Sequence, residues 1–92
     1  MTRSRDAASS SEDLNAEMAA LSAEAEELAA RQKDVIAEIR RLRETEDVAA
    51  GKVYAQEIFS LQQEKMRLEV EIELRRRKVN RLRISMDPGL LH

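Results

Sequence analysis

RETEDVAAGKVYAQ, residues 43–56, decides the fold, because a heptad repeat enters it from each side and the two repeats are out of phase. Upstream, Leu14, Leu21, Leu28, Val35 and Leu42 recur every seven residues at d, with Met18, Ala25, Gln32 and Ile39 at a. Downstream, Ile58, Lys65, Ile72, Val79 and Met86 occupy a, and Leu61, Leu68, Arg75 and Leu82 occupy d. Repeats of this kind specify coiled-coil helices. Leu42 and Ile58 are 16 residues apart. A straight helix turns about 1600° over that gap, or 160° net, whereas an in-phase d-to-a step turns about 40°. An extended rod, the rival reading, would therefore carry its two stripes about 120° apart, on separate faces for separate partners. One Gly and no Pro in the segment leave a continuous helix open on propensity alone. Phase favours a reversal at 47–52, with Gly51 free to take a left-handed conformation.

Folding the chain back at this point pairs nine residues with nine under one rule, that position numbers sum to 100. The layers 14/86, 18/82, 21/79, 28/72, 39/61 and 42/58 are apolar on both sides. Three layers are mixed: Gln32 meets Leu68, Lys65 meets Val35, and Arg75 meets Ala25, whose small side chain leaves room for the arginine stem to reach water. Polar seam residues commonly fix register and oligomeric state at some cost in stability. The fold class that follows is all-α, an antiparallel two-helix coiled-coil hairpin. A single buried stripe per helix makes a thin core, so completion by oligomerisation or by docking on a partner is expected.

Charge supports the antiparallel alignment. Residues 12–27 carry six acids and no base, and residues 75–83 carry six bases and no acid, although the net charge is only −2. The sum-of-100 register lays these segments side by side. On the flanks it offers Glu24 to Lys78 and Arg31 to Glu71, but sets Glu38 against Glu64. Each exposed pair contributes only about 0–1 kcal/mol. The mismatch in detail leaves some basic surface without a facing acid.

Phe59, Met66, Val70 and Leu74 lie off the second seam, and Ile36 stands beside the first. Large apolar side chains grouped on an outer face usually mark an interface. Phe59, Met66 and Val70 are the expected partner surface. The outer positions of the first helix are Ala-rich, which strong helix propensity alone explains. The basic run RRRKVNRLR (75–83) supplies Arg76, Arg77, Arg81 and Arg83 as candidate anion or nucleic-acid contacts. These arginines form no single groove-facing stripe, and the chain has one Tyr, one Phe and no Trp for base stacking.

Residues 1–10 read as a flexible polar tail, followed by helices at 11–46 and 53–86 and a C-terminal tail at 87–92. Ser10 or Ser11 would cap the first helix, and Pro88 stops the second by Met86. Only 2% of residues are aromatic and 37% are charged, which argues against an ordinary globular core. No cysteine is present, and the one histidine is residue 92. With no Gly-rich phosphate loop and no metal-binding pair, catalytic residues, metal and cofactor are expected to be none. No apolar run approaches the roughly 18 residues of a membrane span. A soluble protein, cytoplasmic or within a particle, is expected. The bend AAGKVY (49–54) has neither the Trp-x-Gly turn of small secreted helical hairpins nor the proline of secretion-needle turns, so no family is assigned.

The expected role is that of a non-enzymatic structural or adaptor subunit mediating protein–protein assembly, with itself or within a larger particle or machine. The alternative is binding of nucleic acid or an anionic surface through 75–83. A third reading, a small helical chaperone, rests on exposed apolar surface alone.

Overall fold

The structure, a computed structural model, describes the backbone of residues 3–45 and 51–86, and side chains from Ser11 to Thr45 and from Tyr54 to Met86. It consists of two α-helices, α1 (Arg3–Glu44) and α2 (Gly51–Met86), packed along each other. Glu17 meets Lys78, Glu24 meets Arg75, and Arg31 meets Glu64. Partners fall on α2 as they rise on α1, so the helices are antiparallel. The longest dimension is 74 Å. A rod from residue 3 to 86 would measure about 126 Å, so the hairpin is the fold and the extended helix is not.

Each of the eighteen seam residues is buried or half-buried. Ala25, Val35, Ile39, Leu42, Leu68, Ile72 and Val79 form the most buried set, and Val35, Ile39 and Leu68 pack with Leu28, Ile58 and Leu61. On α2 the seam stripe runs one position further than the nine layers. Tyr54, seven residues before Leu61, is half-buried at the d position. No described side chain buries a polar atom without a hydrogen-bond partner.

The helix limits correct three expectations. Helical geometry begins at Arg3, not near Ser11, so 3–10 belong to α1 and not to a tail. Ala7 and Ala8 favour helix, and nothing in 3–10 breaks one. At the other end α1 stops at Glu44, two residues early. Thr45 donates its amide to the Arg41 carbonyl at 3.1 Å, and its hydroxyl to the same oxygen at 3.0 Å and to that of Leu42 at 3.3 Å. These bonds satisfy carbonyls that the helix end would otherwise leave open. Gly51 is the first residue of α2, and no described residue has a positive φ, so glycine does not act as a left-handed bend. The rest of the expected turn, 47–50, lies outside the described residues, as do residue 46, the expected C-terminal tail 87–92 and the side chain of Ser10.

Exposed surface is large for the mass. The chain presents 7341 Å², against about 5,400 Å² for a compact monomer of its size. Its radius of gyration is 20.5 Å, where a globular chain of this length would have about 12 Å. Among the described residues the two helices leave open grooves and not an enclosed cavity. Whatever this fold recognises, it must recognise on a face or an edge.

The outer face of α2 and the basic segment as candidate sites

A helix brings residues 7, 11, 15 and 25 positions apart close to one line, since each spacing is near a whole number of turns. Met66, Val70, Leu74 and Ile84 stand at those distances from Phe59. The five residues fall within roughly 80° of one another and roughly 120–180° from Leu68 in the seam. α2 therefore has two apolar stripes on opposite sides. One is closed by α1. The other is open: Phe59, Met66, Val70 and Leu74 are 62%, 63%, 58% and 51% exposed. Ile84, at 38%, continues the line. The sequence reading passed over Ile84, although it repeats the heptad position of Val70 two heptads on. A shallow depression lined by Glu69, Val70, Glu73, Leu74 and Arg77 lies along the middle of this face. Ile36, at 37%, is on a different surface, the groove edge with Ile39, Gln62 and Lys65.

The basic segment divides three ways. Arg75 leaves the seam beside buried Ala25 and donates to Glu24 of α1 at 3.0 Å and to Glu71 of its own helix. Hydrogen bonds to Glu71 and Glu24 raise its pKa further, so the guanidinium is firmly charged. Lys78 reaches Glu17 at 3.6 Å, and Arg77 lies along its own helix on Glu73 at 3.2 Å. Arg76, Arg81 and Arg83 make no ion pair among the described residues. Arg76 and Arg83 line an edge groove with Ser22, Ala25, Val79 and Asn80, where α1 offers no carboxylate. Arg81 lies towards the outer face, about 140° around the helix from Arg76. The four arginines named from sequence are thus not gathered into one patch.

This arrangement corrects the expected flank pairs. Arg75 occupies Glu24 and Glu71, so Lys78 turns to Glu17 and Arg31 to Glu64, at 2.6 Å. The expected Glu38–Glu64 repulsion is relieved on both sides, because Glu64 has Arg31 and Glu38 is held by Arg41 one turn on. The Arg41 hydrogen bond lowers the pKa of Glu38.

Among the described residues no group of three His, Cys, Asp or Glu side chains is placed to hold a metal ion, and no helix is long and apolar enough to cross a membrane. Comparison with protein-family models, curated proteins and solved structures finds no match to this chain.

Proposed function

We propose that this protein is a non-enzymatic coiled-coil structural or adaptor subunit that works by protein–protein assembly, as in a viral or bacterial particle or a multiprotein machine. The observation that supports it is the second apolar stripe of α2. A helix that is apolar on opposite sides is suited to lie between two neighbours, and α1 supplies only one. Exposed apolar patches on soluble chains commonly mark such interfaces.

Arg76, Arg81 and Arg83, which make no ion pair among the described residues, favour a second reading as a binder of nucleic acid or an anionic surface. Their split between an edge and the outer face weakens it. Sedimentation and native mass spectrometry at low and high salt, alongside titration with labelled DNA and RNA, separate the two. Oligomers that persist in high salt are expected. A chain that stays monomeric and binds nucleic acid with an affinity falling steeply with salt would overturn the assembly role.

A further inference from the structure

We infer that the partner on the outer face of α2 is α2 of a second copy, running antiparallel about a two-fold axis near residues 71–72. The inference rests on the assembly reading and specifies its geometry. The outer stripe follows a heptad of its own, with Phe59, Met66, Glu73 and Asn80 alternating with Gln63, Val70, Arg77 and Ile84 in steps of four and three. An antiparallel pair of identical stripes sets the first series against the second. The layers then join residues whose numbers sum to 143: Phe59 with Ile84, Gln63 with Asn80, Met66 with Arg77, and Val70 with Glu73. Apolar ends meet, two amides meet, and the long arginine stem covers the methionine. Leu74 lies on the flank beside the axis, next to Arg67 of the other copy.

Charge selects this orientation. In a parallel pair, Glu73 would face Glu73 and Arg77 would face Arg77 within the interface. The antiparallel register sets the two Arg77 about 16 Å apart along the axis and moves the two Glu73 into adjacent layers, each with its own Arg77 at 3.2 Å. It also sets Glu69 of one copy beside Arg76 of the other, two exposed groups that make no ion pair among the described residues of a single chain. Glu69 and Arg76 stand two above their layer sum, whereas 17/78 and 31/64 within the hairpin stand five below theirs, the two offsets that neighbouring heptads allow. A two-fold contact is self-complementary and closes at two copies. Four side chains from each copy, each more than half exposed, present on the order of 400 Å² of apolar surface per chain. The two patches together supply about 800 Å², so a polar rim of about 400 Å² would bring the pair to the roughly 1,200 Å² at which specific interfaces begin. Because the two stripes of α2 lie on opposite sides, the product is a row of four helices, α1–α2–α2–α1.

The chain has no cysteine, so single spin labels can be placed without other changes. Labels at Arg67, Ser60 and Arg81, one per chain, report the distance between copies. In the proposed dimer this distance grows by about 3 Å for each residue away from the axis: short at Arg67, long at Ser60 and Arg81. Similar short distances at all three sites would mean a parallel pair and overturn the proposal. Val70→Asp is expected to weaken self-association at least tenfold with helicity retained. Should Val70→Asp lose its fold, charge exchange decides instead: Glu69→Arg should weaken the dimer, and Glu69→Arg with Arg76→Glu should restore it. Failure of restoration overturns the register. Salt-resistant oligomers unaffected by Val70→Asp, including ones in which α2 docks on the alanine face of a neighbouring α1, overturn this interface and leave the assembly reading standing. A monomer with steeply salt-dependent nucleic-acid binding overturns both.

Discussion

Arg75 of α2 donates from Nε to Oε1 of Glu24 on α1 across 3.0 Å, and its other arm grips Glu71 one turn back on its own helix. It is the only charged seam residue that bridges the two helices among the described residues. Its position fixes the level of one helix against the other. Sliding α2 by one heptad, about 10 Å, would bring Arg75 beside Arg31 in one direction, which repels it, and beside Glu17 in the other, which takes from Lys78 the acid it now holds. The arginine thus contributes to specificity even where an apolar residue would contribute more to stability.

Replacing it by a side chain of similar length tests this division. Arg75→Met should raise the stability of the hairpin slightly, because an apolar side chain in the seam has no charge to desolvate, and the gain is small because the guanidinium is partly solvated. It should also spread the chain over several association states. Thermal melting followed by circular dichroism reads the first effect and sedimentation the second. A more stable variant that remains one species would show that register is set elsewhere.

Lys78 and Glu17, 3.6 Å apart and both about half exposed, provide the simplest test of the flank. Lys78→Glu should cost roughly 0.5 kcal/mol and Glu17→Lys a similar amount, with most of the loss recovered in the double exchange. At 1 M salt, where screening acts over about 3 Å, the coupling should vanish. A coupling that persists there would point to a contact that charge does not explain.

Seam and flank differ in how far the residues reveal them. Packing across the seam depends on volume and period, and Leu14 through Leu42 and Ile58 through Met86 specify both, so every seam residue is shielded in the structure. Tyr54 escaped the reading because its partner position, 46, is an acid and broke the apolar pattern. Flank pairs depend on competition among long side chains. Once Arg75 takes Glu24 and Glu71, the remaining bases shift to other acids, an outcome that pairwise spacing cannot anticipate. The same limit applies to the candidate surface. Phe59, Met66 and Val70 stood out as single apolar residues, but Ile84 became legible only when the stripe was traced around the helix. The basic run looked like one feature in sequence and is three in space.

Acid should act on Glu38 late. Its pKa is lowered chiefly by the hydrogen bond from Arg41; burial opposes this, and the charge of that arginine adds a smaller lowering. A carboxyl with a lower pKa in the folded state than in the unfolded state contributes stability that is present above the unfolded pKa and lost as pH falls through the folded value. This contribution should thus be complete at neutral pH and disappear only below the ordinary glutamate range. An NMR titration of the Glu38 carboxyl should give a midpoint below that of a typical exposed glutamate, and Arg41→Ala should return it to normal. An unchanged midpoint in Arg41→Ala would separate the shift from the ion pair.

Leu68 and Met66 are two residues apart and face opposite ways, so truncating each isolates what one stripe does. Leu68 is 4% exposed and packs with Val35 and Ile39, whereas Met66 is 63% exposed. Leu68→Ala opens a cavity in the seam, and such losses run at about 2–5 kcal/mol. That is a large share of the few kcal/mol a core of this size supplies, so the variant should lose most of its helicity at any concentration. Met66→Ala removes no intramolecular packing of that kind. Its helicity at high dilution should match the parent, and only the rise of melting temperature with concentration, the mark of association-linked folding, should diminish. If Met66→Ala instead lowered the melting temperature equally at all concentrations, the outer stripe would be supporting the hairpin from within, and α2 would have no second side to offer.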